Sequence, residues 1–323
     1  MTTLVLSERM PAEGMALLEA RRDAQLVVLP DREQATLAAA LADAHGVVLV
    51  GERPILTAEL IARAPRLRVA ARMGAGTDNF DIPALTARGI PLLTTGGANA
   101  GTVAEHAIYL LLALAKRGPA RDRAVKAGTW PRGFGAVELA GATALIVGYG
   151  RIGRAIAQRL RGFDMTVLAV DPHASAAAQD GVEVAPSLQA ALPRADAVLL
   201  ACALTAETRN LIGVAELQLM KPTAFLVNVA RGLVVEEAAL AEALAAGRLA
   251  GAGLDVLCQE PPESGNPLLG RDDVVLTPHT ASHVASTYAR MSRVAAQAML
   301  DALDGRLDHE LAVNSALLQR KKL

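Results

Sequence analysis

"ALIVGYGRIGRAIAQRLRGFDMTVLAVD", residues 144–171, decides the fold. A β-rich run enters Gly148, Gly150 and Gly153, a helical stretch follows, and a second β-rich run ends on Asp171. Three glycines at this spacing are a weak signal in a chain where glycine supplies 27 of 323 residues, so the context has to carry the reading. The context predicts strand, tight turn, helix and strand. Gly148 makes the turn, Gly150 lets backbone approach a pyrophosphate, and Gly153 allows helix and strand to pack closely. The helix opening at Arg151 and Ile152 presents its first amides to the same anion. Asp171 lies eighteen residues beyond Gly153, where a carboxylate accepts both ribose hydroxyls and repels a 2′-phosphate. "DPHASAAAQDG" offers no arginine for such a phosphate, so the dinucleotide expected is NAD. The alternative is a plain βα turn with an acid nearby.

On both sides of this stretch, short apolar runs alternate with alanine-rich helical segments, the pattern of parallel sheets covered on both faces. The fold class is α/β. "TLVLS", "AQLVVLP", "GVVLVG", "LRVAAR" and "IPLLT" precede residue 95, and a long helix then spans about Ala100 to Arg117. "AGTWPRGFGAVELAG" follows without periodicity. A second set opens at the quoted stretch and continues through "AVLLAC", "AFLVNVA", "AGLDV" and "VVLTPH", giving about six strands. One more helix, about Ser286 to Leu303, returns the chain to the first domain. The expected organisation is a nucleotide-binding Rossmann domain, 99–285, inserted into a smaller domain made of 1–98 and 286–323.

Composition narrows the function classes. Thirty-two basic and thirty-three acidic residues leave a formal charge of -1, with no basic cluster beyond the terminal "RKK", so neither nucleic acid nor a membrane surface is expected as a partner. No apolar run approaches the roughly 20 residues that span a bilayer. "MTTLVLSERM" reads as a first strand and not as a signal peptide. Cys202 and Cys258 have no metal-ligand spacing, so a reduced, cytoplasmic, metal-free protein is expected. Only 2% of residues are aromatic and alanine is abundant, so helices should pack through small side chains.

The chain resembles the D-isomer-specific 2-hydroxyacid dehydrogenases, most closely their D-3-phosphoglycerate dehydrogenase branch. The resemblance rests on "ARMGAGTDNFD" (71–81), "GANAGTVAEH" (97–106), "VGYGRIG" (147–153), "NVARGLVVEEAAL" (228–240), "GLDVLCQEPP" (253–262) and "TPHTAS" (277–282). It implies an NAD domain inserted into a flavodoxin-like substrate domain, a homodimer, and reversible hydride transfer between NAD(H) and a small 2-hydroxy or 2-oxo acid. Such chemistry asks for a cation facing an α-oxo acid, a proton donor at C2, and a group that tunes the donor. Arg231 matches the family's substrate-binding arginine, and guanidinium suits the role because it offers two donors in one plane. His279 matches the acid/base, since imidazole exchanges protons near neutral pH. Glu260 matches the carboxylate that orients His279 and favours its charged form.

Further roles follow from the same resemblance. The amides of Ala75 and Gly76 receive the substrate carboxylate, Asn99 lies near the substrate, and Thr102 and Ala230 line the cofactor. Asp255 receives the nicotinamide carboxamide, unless it is a surface cap. His106 is assigned to helix packing or a subunit interface, His173 to the neighbourhood of adenosine, and His283 to no role.

Three departures from the family bear on the substrate. "ACALTAET" places Ala201 and Ala203 where relatives carry His-x-Pro, and "TGGAN" places Gly96 where they carry proline, which predicts a more flexible loop. "VLVGERP" puts Gly51 and Glu52 where phosphoglycerate enzymes carry a basic residue, leaving Arg53. Hydroxypyruvate and glyoxylate therefore rank with 3-phosphoglycerate. With nothing after Leu323 to form a regulatory domain, feedback inhibition by serine is not expected. The alternatives are an NAD-sensing binding protein resembling the C-terminal-binding-protein corepressors, and a hydrolase of adenosyl thioethers.

Overall fold

The computed structural model describes residues 1–133, 135–174 and 181–316. Ser175 to Asp180, read above for its lack of arginine, and the terminal "RKK" lie outside the described residues. The chain divides into two compact units, Met1–Asn99 with the chain from His283 onward, and Ala100–Ser282.

In the first unit, β1 (Thr2–Leu6), β2 (Ala24–Val28), β3 (Gly46–Val50), β4 (Val69–Met73) and β5 (Leu92–Leu93) pair in parallel in the order β2-β1-β3-β4-β5. This is the flavodoxin-like order, in which ligands bind outside the carboxyl ends of the strands where the order reverses. Every residue of β3 and β4 is buried, which explains why β3 reads as a continuous apolar run and β4 as one interrupted only by the buried Arg72. Helix Ala285–Leu303 places Met291, Ala295, Ala296 and Met299 in one core with Leu4, Leu6, Val48 and Val69. Its contact with helix Ala12–Glu19 is close because Gly14 lacks a side chain: the Gly14 amide donates to Ser292 Oγ at 3.1 Å, and a Cβ there would stand 2.5 Å from the Ser292 carbonyl oxygen.

In the second unit, β6 (Thr143–Val147), β7 (Thr166–Val170), β8 (Glu183–Val184), β9 (Ala197–Leu200), β10 (Phe225–Asn228), β11 (Gly251–Leu254) and β12 (Val274–Leu276) form a parallel sheet in the order β12-β11-β10-β9-β6-β7-β8. Strands β6 to β11, in the spatial order β8-β7-β6-β9-β10-β11, reproduce the dinucleotide-binding order, and β12 adds an edge. Helix Ala100–Ala115 lies against β11 where glycines permit it: a Cβ at Gly253 would be 2.9 Å from that of Leu110, and one at Gly251 would be 3.1 Å from Leu114 Cδ2.

The structure differs from the sequence reading in three places. The second sheet has seven strands where about six were expected, because Glu183–Val184 is too short to show a pattern. The helix expected to reach Arg117 stops at Ala115; Arg117 turns left-handed at φ 54°, and a second helix, Gly118–Lys126, follows. That helix buries no residue, so no apolar stripe announces it. The two compact units divide at Asn99/Ala100 and Ser282/His283, within three residues of the expected 98/99 and 285/286. His283 packs edge-on against Tyr288, with ring centroids 5.2 Å apart, and so joins the returning helix.

Gly14→Ala should destabilise the protein by about 1–3 kcal/mol through overpacking. Thermal unfolding monitored by circular dichroism checks this, and an unchanged midpoint would contradict the helix contact.

Candidate nucleotide and acid–base site

The glycine loop stands at the switch point of the second sheet, between the carboxyl ends of β6 and β9. Gly148 has φ 91°, and a Cβ there would lie 2.6 Å from the Cys202 backbone. At Gly153 a Cβ would lie 2.1 Å from the Gly148 carbonyl oxygen. These two glycines are demanded by the protein itself. Gly150 is not: a Cβ there meets nothing within 4 Å. The loop thus keeps open space beside the first turn of helix Arg151–Arg161, whose N-cap residue, Gly150, has no side chain to cap it. An open backbone cradle at a helix N-terminus fits the pyrophosphate of a dinucleotide. Asp171 closes the loop, its carboxylate accepting from the Tyr149 amide at 2.7 Å and the His173 amide at 2.8 Å.

Arg231, Glu260 and His279 all belong to this unit. Arg231 follows β10 in a turn clamped by the buried Asn228, whose side chain accepts from the Ala230 amide at 2.9 Å and donates to the Arg231 carbonyl at 2.9 Å. The next residue, Gly232, brings this turn against the loop after β11, since a Cβ there would fall 2.0 Å from the Leu257 carbonyl carbon. Glu237 steadies that second loop by accepting from the Cys258 amide at 2.9 Å and from Asn266 at 2.6 Å. On this support Glu260 accepts from the Leu257 amide at 2.9 Å through one oxygen and meets His279 Nδ1 at 2.8 Å through the other. Burial pushes the Glu260 carboxyl up. The His279 ring, the Leu257 amide and the charges of His279 and Arg231 outweigh it and hold the group below the usual carboxylate range. An ionised carboxylate only accepts, so His279 Nδ1 carries the proton that it shares with Glu260.

Asp255 is 2% exposed and is not a surface cap. Its Oδ1 accepts from the Thr277 hydroxyl at 2.6 Å and the Thr280 amide at 2.9 Å, and its Oδ2 accepts from the Ala281 amide at 2.9 Å. Its carbonyl accepts from the His279 amide at 2.7 Å. His279 itself is left-handed, φ 54°, a conformation that a non-glycine residue keeps only when its surroundings fix it. His106 joins this network and does not merely pack its helix: its Nε2 stands 2.8 Å from Thr277 Oγ1 and 3.3 Å from Asp255 Oδ1. Burial pushes the Asp255 carboxyl up, but the His106 and Thr277 side chains and the two amides prevail and take it from 3.8 down to about 2.

The sequence missed Asn228, Thr277 and the role of His106. All three lie inside quoted motifs, "NVARG", "TPH" and "GANAGTVAEH", beside residues that were assigned. Ala75, Gly76 and Asn99 belong to the first unit, where Arg72 Nε donates to the Gly76 carbonyl at 3.2 Å and the buried Asn99 Oδ1 meets no partner among the described residues. Gly96 has φ 57° and donates its amide to Thr94 Oγ1 at 3.4 Å. Proline in its place could do neither.

The sequence model described as D-isomer specific 2-hydroxyacid dehydrogenase, NAD binding domain, matches residues 108–281. The chain belongs to this family. Among curated relatives, a D-3-phosphoglycerate dehydrogenase of Archaeoglobus fulgidus is 40% identical over 81% of this chain and 50% of its own length. A glyoxylate reductase of Pyrococcus furiosus is 39% identical over 85% of this chain and 84% of its own. The family fold is confirmed by a solved glyoxylate reductase from Paecilomyes thermophila, with TM-score 0.90, 27% identity and coverage of 98% of this chain and 99% of that one. The chain spans about half the length of the D-3-phosphoglycerate dehydrogenases it matches, 50% to 57%.

Gly150→Ala should leave the melting temperature unchanged and weaken NADH binding in a fluorescence titration, whereas Gly153→Ala should lower the melting temperature itself. Equal effects of the two would contradict the open cradle. Because folding lowers the Asp255 carboxyl, its stabilisation is fully present above 3.8 and disappears as pH falls toward about 2. Asp255→Asn should therefore lose about 2 kcal/mol of stability at neutral pH and progressively less in acid, as read by urea unfolding at several pH values.

Proposed function

We propose that the chain catalyses reversible hydride transfer between NAD(H) and a small 2-hydroxy or 2-oxo acid. The observation that carries this reading is the Glu260–His279 pair at 2.8 Å, placed in the same unit as Arg231 and the glycine loop. When bound, the nicotinamide supplies the hydride. The residues supply the rest. Arg231 binds the carboxylate and polarises the neighbouring carbonyl with a charge that does not titrate away. His279 gives its Nε2 proton to the carbonyl oxygen in reduction and takes it back in oxidation. Glu260 holds the ring through Nδ1 and stabilises the imidazolium, while Ala75 and Gly76 amides receive the carboxylate and Asn99 lies beside it. Gly148, Gly150, Arg151, Ile152 and Gly153 hold the pyrophosphate, Asp171 the ribose, and Thr102, Ala230 and Asp255 the nicotinamide end.

The relatives are named for two substrates, phosphoglycerate and glyoxylate, and Gly51 and Glu52 at the end of β3 provide no cation of their own for a phosphate. We favour an unphosphorylated acid such as glyoxylate or hydroxypyruvate. We also propose a homodimer, because Tyr109, Val125, Trp130 and Val137, at 50%, 47%, 73% and 47% exposure, leave apolar surface uncovered on one segment of the second unit. Among the described residues, no helix is long and apolar enough to cross a membrane. Both cysteines are free thiols, which suits a reducing cytoplasm.

NADH oxidation measured across hydroxypyruvate, glyoxylate, pyruvate, branched 2-oxo acids and phosphohydroxypyruvate tests the reading, and rapid oxidation by one or two of them is expected. Silence across the panel with NADH still bound would favour a cofactor sensor. His279→Ala should lower turnover by about 10²–10⁴-fold with NADH affinity retained. Asp171→Ser should shrink the preference for NADH over NADPH, and an unchanged ratio would remove Asp171 from the ribose site.

A further inference from the structure

The left-handed backbone of His279 is held by a relay that begins on another element. The carboxylate of Asp255 can only accept, so the Thr277 hydroxyl, 2.6 Å from Oδ1, spends its hydrogen there. The Thr277 oxygen then accepts from His106 Nε2 at 2.8 Å, which fixes the ring in the form that carries its proton on Nε2. The same Nε2 lies 3.3 Å from Asp255 Oδ1. Downstream, Asp255 pins the amides of Thr280 and Ala281 through its side chain and that of His279 through its carbonyl. Residues 277–281 are thus fastened on both sides of His279 by one acid, and that acid is fixed to helix Ala100–Ala115 by one imidazole.

We propose that His106 is a positioning residue that sets the presentation of His279, acting through Thr277 and Asp255 without touching substrate or cofactor. The proposal rests on the acid/base reading of His279. It predicts that losing the Nε2 donor lowers the chemical step, with a smaller effect on NADH binding through the Asp255 carboxylate. A displacement of about 1 Å in a proton donor can lower turnover by about 10²-fold.

The test compares His106→Leu, which fills the space without a donor, with His106→Gln, whose terminal N–H reaches toward the same oxygen. Wild-type NADH oxidation with hydroxypyruvate or glyoxylate is measured first and judges the underlying reading by itself. In His106→Leu, kcat should fall at least tenfold while KM for NADH stays within about twofold, and His106→Gln should recover most of the loss. Thr277→Val combined with His106→Leu should be no worse than the poorer single variant, since both break one chain. A second readout is independent of turnover: amide exchange of residues 279–281 should quicken in His106→Leu and return toward wild type in His106→Gln. Unchanged exchange in His106→Leu would overturn the proposal, as would equal loss in both variants with a matching fall in melting temperature. Multiplicative effects in the double variant would overturn it too.

Discussion

The carboxylate of Asp255 is the constraint on which the second unit's chemistry depends. It sits just after β11, is almost fully buried, and is satisfied by groups drawn from the segment that follows β12. A buried charge is tolerable only when its hydrogen bonds are complete, so the folded chain has strong reason to keep residues 277–281 in one conformation. That conformation is the one that makes His279 left-handed and delivers its Nδ1 to Glu260. The Glu260–His279 contact is therefore a consequence of how a neighbouring acid is solvated by protein.

Close backbone approach is the second organising theme, and glycine marks each instance. Gly232 lets the Arg231 turn lie on the loop that carries Glu260, Gly148 and Gly153 fold the nucleotide loop against β9 and its own helix, and Gly14 and Gly253 admit neighbouring helices. Gly150 differs in kind, because its missing side chain leaves room for something outside the protein. Gly148 and Gly153 are thus required by the fold, whereas Gly150 leaves the space that the proposed cofactor reading needs.

Much of this was legible in the residue pattern. Continuous apolar runs such as "GVVLV" reported doubly covered parallel strands, and β3 is buried throughout. The glycines in their strand–turn–helix context marked the loop that the structure places between β6 and β9, and "TPH" and "QEPP" marked His279 and Glu260, which meet as a pair. What escaped had no periodic or chemical signature. Glu183–Val184 is too short to alternate, and helix Gly118–Lys126 buries nothing. Asn228, Thr277 and His106 act on backbone or on another side chain, and no spacing rule foretells that a histidine on one helix will meet a threonine 171 residues away. Gly96 shows the converse case: a departure visible in the sequence acquires a physical meaning only when its φ of 57° is seen.

The central claim is that the Glu260–His279 pair and the glycine loop serve hydride transfer to a 2-oxo acid. The most direct measurement is to supply NADH deuterated at the transferring C4 position together with hydroxypyruvate and glyoxylate, and to analyse the product acids by mass spectrometry. The account predicts one deuterium at C2 of the hydroxy acid, delivered to a single face of hydroxypyruvate. NADH consumption without deuterium in the product, or bound NADH that is never consumed with either acid, would contradict it.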